Sequence, residues 1–286
     1  MDKKIGFFGG KFLPLHMGHI YSILYSASRC DELHVFLFIN GKDEEEMIKY
    51  SHFPKDLLQG NIRELILKYE FESYDNIKLH TIDCKKAFKN VNEEGWDYNS
   101  NAVLDIADCV PNIIFSSDPD KKKHFEILYP FAEFSLIDPD RSLFNISSTM
   151  LRNDGPYKHW NYLTKSYRSL CAKSIVVIGD KIYRERLIKD LSKLFNTSYI
   201  DNILVDQDEI KKKILEARFN SDKIFFINAV DENNDKYIQF YNIHNYRFSI
   251  NFTDEDVKKY NSINLLGDYD KILKQGILRC KNIINN

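Results

Sequence analysis

Short apolar runs alternate with segments of helical periodicity through the first half of the chain. The apolar runs predict buried strands over 4–8, 33–39, 77–82, 112–115 and 134–137. Between them, apolar residues recur at intervals of three and four, as on one face of an amphipathic helix. Strands that alternate with helices predict a parallel sheet covered on both faces, a doubly wound α/β fold.

The helices predicted between these strands are amphipathic. Because side chains three and four positions apart share one side of a helix, a single face of each helix is expected to pack on the sheet. These faces are carried by Ile20, Ile23, Leu24 and Ala27, by Leu58, Ile62, Leu65, Ile66 and Tyr69, and by the segment from Val103 to Val110.

A second αβ series follows a break at Gly155-Pro156 and a polar, aromatic segment. Its strands are predicted over 174–178, 223–227 and 248–251. Its helices are expected to pack through Leu187, Leu191 and Leu194, and through Tyr269, Ile272, Leu273, Cys280 and Ile283.

The break divides the chain into two predicted domains. The first covers 1–156, a helical linker covers 157–171, and a smaller α/β domain covers 172–286. A length of 286 residues accommodates two domains of ordinary size. In the first domain, ligands are expected beyond the carboxyl ends of the strands, as in other open parallel sheets.

The composition is typical of a packed protein without a membrane segment or a nucleic-acid partner. The chain is 43% hydrophobic, and its net charge of −2 gives no bulk basicity for DNA binding. No segment approaches the roughly 20 apolar residues of a membrane span. Five cysteines, an odd number without a CxxC pair, argue against a disulfide framework or a structural zinc site. We expect a cytoplasmic protein.

The segment after the first strand carries the clearest chemical signal. Residues 9–19 read GGKFLPLHMGH and connect a predicted strand to a predicted helix. Glycines allow the backbone to approach a ligand closely, and the N–H groups at a helix start favour an anion. His16 and His19 can point at the same phosphates, and Lys11 adds a positive charge. A lone HxxH would be an ordinary turn, but this combination indicates a nucleotide-phosphate site.

A second segment supplies hydroxyls and an arginine near the end of the same domain. Residues 146–152 read ISSTMLR, and Ser147 is a good N-cap for a helix that begins there. Hydroxyl groups, backbone N–H groups and Arg152 can converge on phosphate oxygens. The two segments together predict a nucleoside-triphosphate site.

Both segments resemble the signatures of the HxGH nucleotidylyltransferase superfamily. The narrower form GKFLPLHMGHIY is similar to the bifunctional nicotinamide mononucleotide (NMN) adenylyltransferase/ribosylnicotinamide kinase family. The resemblance covers residues 1–170. It extends to DELH at 31–34, GWDYNSN at 95–101, DPDR at 138–141 and YKHWNY at 157–162.

The resemblance implies adenylyl transfer from ATP to NMN, which gives NAD and pyrophosphate. It assigns catalysis to His16, His19, Lys11 and Arg152, with Mg²⁺ bound mainly through the ATP phosphates rather than by a protein cage. The residues expected to bind ATP are Gly9, Gly10, Phe12, Gly18, Ser147, Ser148, Thr149, Ser117 and Asp118. An ordinary turn with a helix cap is the alternative for the last two.

The same resemblance assigns an NMN pocket. Trp96 is expected to stack on the nicotinamide ring, and Asn101 to bind its carboxamide. Arg63, Asp138 and Arg141 complete the expected NMN-binding set. A core tryptophan and a surface arginine are the alternatives for Trp96 and Arg63.

The second domain departs from the family. Where the family has a P-loop, residues 177–187 read VIGDKIYRERL, with Tyr183, Arg184 and Glu185 in place of the second glycine, the lysine and the hydroxyl residue. Asn228 stands where the family has an acidic residue. We predict a degenerate P-loop-kinase-like domain that folds without phosphorylating a substrate. A vestigial domain, a homo-oligomer interface and a sensor all remain open roles.

Two other functions remain open for the whole chain. One is a regulatory protein that senses NAD or NMN, although a sensor does not need intact catalytic signatures. The other is a related nucleotidylyltransferase with a different acceptor, such as nicotinate mononucleotide or phosphopantetheine. The expected ligands are ATP, NMN and NAD.

Overall fold

The chain forms two compact units, Met1–Ser166 and Tyr167–Asn286. The division falls inside the segment 157–171 that the sequence assigns to a linker. Both units consist of a five-stranded parallel sheet with helices between the strands, so the predicted α/β fold class is confirmed. The computed structural model describes residues 3–87, 100–201, 207–220, 222–228 and 245–285.

The sheet of the first unit has the strand order β3-β2-β1-β4-β5, with all strands parallel. The order reverses beside β1, so a crevice opens at its carboxyl end. Residues 33–38 of β2 are all buried, as expected for an inner strand covered on both faces. The strands are β1 Ile5–Gly10, β2 Glu32–Ile39, β3 Ile77–Asp83, β4 Ile113–Ser116 and β5 Glu133–Leu136.

Eight helices are described up to the division between the units, where α8 crosses it. Short 3₁₀ turns cover Lys55–Leu58, Pro119–Lys121 and Trp160–Tyr162. The helices are α1 Met17–Ala27, α2 Glu44–Lys49, α3 Gly60–Phe71, α4 Cys84–Ala87, α5 Ser100–Ala107, α6 Lys122–Leu128, α7 Ser148–Asp154 and α8 Lys165–Cys171.

The face of α3 that packs inward differs from the prediction. Leu65 and Tyr69 are 64% and 49% exposed, so the prediction is wrong for them, whereas Leu58 and Ile66 are buried as expected. Arg63 lies on the inward side of the helix. Periodicity counts an arginine as polar and therefore leaves it off the predicted apolar face. The buried residues of this helix are Arg63, Ile66, Leu67 and Phe71.

The second unit repeats the architecture with the strand order β10-β9-β6-β8-β7. Leu194 is 56% exposed, contrary to prediction, but the inner face of the last helix is as expected, with Ile272 and Cys280 fully buried. The strands β7 (Tyr199–Asp201) and β10 (Ile263–Leu265) were not predicted, because three residues are too few to give a recognisable apolar pattern. The elements are β6 Lys173–Gly179, α9 Lys181–Leu194, β7 Tyr199–Asp201, α10 Gln207–Asn220, β8 Ile224–Asn228, β9 Asn245–Ile250, α11 Asp254–Tyr260, β10 Ile263–Leu265 and α12 Tyr269–Asn285.

A polar network links β2 to β3 inside the first unit. His34 Nδ1 lies 2.9 Å from His80 Nε2, and His34 Nε2 lies 3.1 Å from Glu32 Oε1. Because the carboxylate only accepts, the network assigns His34 a proton on Nε2 and makes His80 the donor to His34 Nδ1. Burial, with repulsion from His34, lowers the pKa of His80 to about 4.

This low pKa predicts a loss of stability in acid. An unfolded histidine has a pKa of about 6.5, so between that value and about 4 the unfolded chain binds more protons than the folded chain at His80. The stability that neutral His80 contributes is therefore complete above about pH 6.5, and it is lost as the pH falls towards the folded-state pKa of about 4. Urea unfolding at about pH 7 and about pH 5 should show a smaller loss of unfolding free energy for His80→Gln than for the unchanged protein. Equal losses would contradict the assignment.

Candidate active site at the end of the first strand

The loop after β1 is compact and internally packed. Phe12 has a left-handed backbone, with φ 45°, and a side chain that is only 3% exposed. Its ring stacks on Phe8 and lies edge-on to His19, with centroids 5.1 Å apart. A Cβ on Gly10 would come within 2.9 Å of that ring, so glycine leaves the space that Phe12 occupies. Phe12 therefore shapes the loop through packing, while Lys11 beside it is half-buried.

The two histidines form a stacked pair at the start of α1. Their ring centroids are 3.8 Å apart, with 22° between the planes. The His16 carbonyl accepts from the N–H groups of His19 and Ile20, at 2.9 and 3.1 Å. The Nδ1 atoms of both histidines are buried without a hydrogen-bond partner among the described residues. A Cβ on Gly18 would lie 3.1 Å from the His16 ring, so a larger residue would crowd this arrangement.

Both imidazoles are neutral at neutral pH. Burial, followed by repulsion from Arg141, lowers the pKa of His19 to about 3. Burial, His19 and Arg141 lower the pKa of His16 well below its ordinary value. A neutral ring offers one N–H donor to an anion. A bound phosphate would favour the protonated form of each ring, because opposite charge stabilises the cation.

The start of α1 adds backbone donors to the pair. Among the described residues no side chain caps this helix, and His16 itself occupies the N-cap position. The first N–H groups of a helix have no partner inside it and carry a partial positive charge. The helix start and the imidazoles therefore bring together donor groups of the kind that suit an anion.

The segment ISSTMLR forms the start of α7 and binds directly to this loop. Ser147 caps the helix by accepting from Met150 N at 3.1 Å, as predicted from the sequence. Ser148 Oγ donates to the Pro14 carbonyl at 3.0 Å. Arg152 donates to the Leu13 carbonyl at 2.6 Å and to Thr149 Oγ1 at 3.1 Å. The two signature segments are thus joined directly by hydrogen bonds. Partial burial lowers the pKa of Arg152.

A tight turn carries Arg141, whose charge acts on the pKa of both histidines. Asp138 accepts from Ser142 N and Oγ, both at 2.8 Å, and from Leu143 N at 3.2 Å. These bonds, led by the one from the Ser142 hydroxyl, lower the pKa of Asp138. Asp138 and Arg141 both have left-handed φ values, 42° and 52°. Asp138 therefore builds the turn, whereas Arg141 contributes its charge to the site.

Ser117 and Asp118 lie just beyond β4, which pairs with β1. Asp118 accepts from Asp120 N at 3.0 Å and caps the following 3₁₀ turn. Its N–H donates to Ser116 Oγ at 3.1 Å. Asp118 therefore makes the contacts of an ordinary helix cap, which is the alternative to ATP binding given in the sequence analysis. Its position after β4 borders the crevice.

The environment of Arg63 contradicts its predicted role as an NMN-binding residue. Its side chain is 1% exposed and bonded to Glu44 and to backbone carbonyls. The surface alternative is equally wrong. The sequence does not predict Glu44 as the buried partner of Arg63. It is the first of three consecutive glutamates, a pattern typical of an exposed helix start, and nothing in the pattern indicates that one of them points inward. Asn101 is exposed on α5, and Trp96 lies outside the described residues.

The parts of the chain that the structure describes give no indication of a protein-held metal or a membrane span. No group of three or more His, Cys, Asp or Glu side chains among them could hold a metal ion. No described helix is long and apolar enough to cross a membrane.

The corresponding loop of the second unit differs in its chemistry. A single residue separates β6 from α9, and this residue, Asp180, accepts from the N–H groups of Ile182 and Tyr183 at 3.0 and 3.2 Å. Arg184 is buried and donates to Asn228 Oδ1 and to the Gly179 carbonyl, each at 2.6 Å. The helix start is occupied by a carboxylate of the protein itself.

Comparison with known proteins identifies relatives of this site. The trifunctional NAD biosynthesis/regulator protein NadR of Salmonella typhimurium is 27% identical over 210 residues, 69% of this chain and 48% of that protein. A probable nicotinate-nucleotide adenylyltransferase of Clostridium perfringens is 33% identical over 118 residues, 39% of this chain and 55% of that protein. The chain is homologous to NadR and to nicotinate-nucleotide adenylyltransferases. It spans about half the length of these relatives, and no protein-family model matches it.

Solved structures of NadR share the fold. A NadR crystal structure in complex with NAD and AMP-PNP has a TM-score of 0.60 at 16% identity and covers 98% of this chain and 89% of that chain. A second, in complex with NR, has a TM-score of 0.61 at 15% identity. At this level of identity the likeness concerns the fold alone.

The role of Arg141 in the site predicts a measurable shift in the histidines. Because its charge lowers the pKa of His16 and His19, the Arg141→Gln variant should raise the pKa of both imidazoles while burial keeps them low. An NMR titration of the histidine rings measures this directly. The His80 ring is the internal control, because its pKa is set by burial, His34 and Glu32. Unchanged pKa values for His16 and His19 would show that the charge of Arg141 does not act on the pair.

Proposed function

We propose that the first unit transfers the adenylyl group of ATP to NMN, giving NAD and pyrophosphate. The observation that carries the proposal is the neutral, stacked pair of His16 and His19 at the uncapped start of α1. This pair follows the carboxyl end of β1, where the strand order reverses, and the loop that leads to it accepts hydrogen bonds from Ser148 and Arg152 of the ISSTMLR segment. Homology to NadR and to nicotinate-nucleotide adenylyltransferases supports it.

The chemistry requires positioning and charge stabilisation rather than covalent catalysis. A phosphate oxygen of the mononucleotide attacks the α-phosphorus of ATP, and the bond to the β-phosphate oxygen breaks as pyrophosphate leaves. Imidazole N–H donors at His16 and His19 would bind the α-phosphate oxygens as charge develops on them. The side chains of Lys11, Arg141 and Arg152 would neutralise the remaining phosphate charge. Mg²⁺, bound through the ATP phosphates, would supply further neutralisation.

The proposed acceptor is NMN, and nicotinate mononucleotide is the second candidate. The Clostridium relatives are named as probable nicotinate-nucleotide adenylyltransferases, which favours testing both. Trp96 and Asn101 are proposed to bind the pyridine ring and its carboxamide. Arg63 is not part of the proposed site, because its side chain is fully buried and is bonded to Glu44 and to backbone carbonyls.

We propose in addition that the second unit has lost kinase activity. A P-loop presents free backbone N–H groups to phosphates. Here Asp180 accepts from two of the corresponding groups, and its negative charge opposes an incoming phosphate. Arg184, in the position assigned to the lysine, is buried and bonded to Asn228.

The adenylyl-transfer proposal is tested with purified protein, ATP, Mg²⁺ and each mononucleotide in turn. We expect dinucleotide and pyrophosphate in equal amounts with NMN. His19→Ala should lower kcat on the order of 10²-fold or more, because one electrostatic contact to the transition state is removed. His124→Ala, an exposed histidine on α6, is the matched control and should leave kcat unchanged. Tight NAD binding without product from any acceptor would instead support the sensor, and full activity of His19→Ala would refute the mechanism.

The loss of kinase activity predicts no transfer of phosphate from ATP to nicotinamide riboside. The measurement is NMN formation from the riboside by the full chain, with the His19→Ala variant used to prevent onward conversion to NAD. Phosphorylation at a rate typical of kinases, about 1 s⁻¹ or more, would show that the altered loop still binds ATP productively.

A further inference from the structure

We infer that Arg63 and Glu44 form a positioning ion pair that fixes the backbone of the loop carrying the histidines. The inference rests on the proposed function for its kinetic consequence, but its structural consequence can be tested separately. Both side chains are buried, with 1% and 4% exposure. Arg63 binds Glu44 and backbone carbonyls of neighbouring segments.

The Arg63 guanidinium joins four segments. Its Nη2 donates to Glu44 Oε1 on α2, and its Nε donates to the Leu58 carbonyl at 2.9 Å. Its Nη1 donates to the Lys11 carbonyl at 2.5 Å and lies 3.3 Å from the Phe38 carbonyl near the end of β2. Through one planar group the loop is thus joined to β2, to α2 and to the 3₁₀ turn Lys55–Leu58.

The bond from Arg63 to the Lys11 carbonyl lies next to a residue with an unfavourable backbone conformation. The next residue, Phe12, has a left-handed backbone that is unfavourable for a bulky side chain. Such a conformation persists only when its surroundings hold it. The Phe12 ring packs edge-on against His19, so a contiguous path of contacts leads from Arg63 to the histidine pair.

An arginine suits this role better than a lysine. The guanidinium presents five donors in a rigid fork, whereas an ammonium has three on a flexible stem. Glu44 supplies the compensating charge that a buried cation requires. The second oxygen of Glu44 is buried without a hydrogen-bond partner among the described residues, which makes the carboxylate more dependent on Arg63.

The structural test uses trypsin, because Lys11 is itself a cleavage site. In Arg63→Lys, the Lys11 carbonyl loses its donor, and cleavage between Lys11 and Phe12 should become about tenfold faster under conditions in which it reports local opening. Mass spectrometry of the released peptides identifies this bond. Arg184→Met removes an equally buried arginine from the second unit and is the matched control, with unchanged cleavage at Lys11.

The kinetic test separates positioning from ligand binding. We expect Arg63→Lys to lower kcat for adenylyl transfer on the order of 10²-fold, since misplaced groups lose catalysis steeply, with the KM for NMN changed by less than about twofold. A large rise in that KM with unchanged cleavage at Lys11 would overturn the inference and restore Arg63 as a ligand. If the unchanged protein forms no dinucleotide, the proposed function fails while the cleavage result still tests the positioning role.

The charge-free double variant Arg63→Met/Glu44→Met addresses folding. Replacing both members of a buried pair is generally tolerated, whereas removing one leaves an unpaired buried charge. We expect this variant to fold, as judged by circular dichroism, and to show the same rapid cleavage at Lys11. If neither it nor Arg63→Lys folds, the pair supports the whole domain rather than the loop, and the inference is wrong.

Discussion

The backbone of one short loop is held by side chains that come from distant parts of the chain. Between β1 and α1, the carbonyl of Lys11 accepts from Arg63, that of Leu13 from Arg152, and that of Pro14 from Ser148. Three buried or half-buried donors thus fix a segment that has no regular secondary structure. Hydrogen bonds to charged donors are stronger than neutral ones, and an unsatisfied buried carbonyl is costly. The site depends on this constraint because the loop carries the histidines.

The constraint permits an arrangement that is otherwise unfavourable. Two imidazoles stacked at 3.8 Å, whose buried Nδ1 atoms have no hydrogen-bond partner in the described part of the chain, cost free energy that a surface turn would avoid. Their pKa values are low because burial and Arg141 disfavour the cations. An anionic ligand reverses this balance by supplying both a partner and opposite charge. The fold therefore meets the electrostatic cost that an anion-binding arrangement of this kind requires.

The five strands of the first unit could be predicted from the sequence, because buried strands depend on local apolar patterns. Ser147 as a cap and the crevice at the end of β1 follow from rules of this kind. The inward side of α3 could not be predicted in the same way. Arg63 is buried because Glu44 and three carbonyls from elsewhere in the chain surround it. Such a partner set is a property of the fold, and a pattern that scores arginine as polar assigns it to the surface.

The two units show how one residue decides what a helix start can do. In the first unit the N-cap position of α1 is a histidine that makes no side-chain cap, so the first N–H groups remain available to an anion. In the second unit the N-cap of α9 is Asp180, whose carboxylate accepts from two of those groups. The sheets are both parallel, and both helices follow the central strand directly. A carboxylate in this position stabilises the helix by an amount typical of a cap, about 1 kcal/mol. The same bonds leave the helix with fewer free donors and an added negative charge, which opposes the approach of a phosphate.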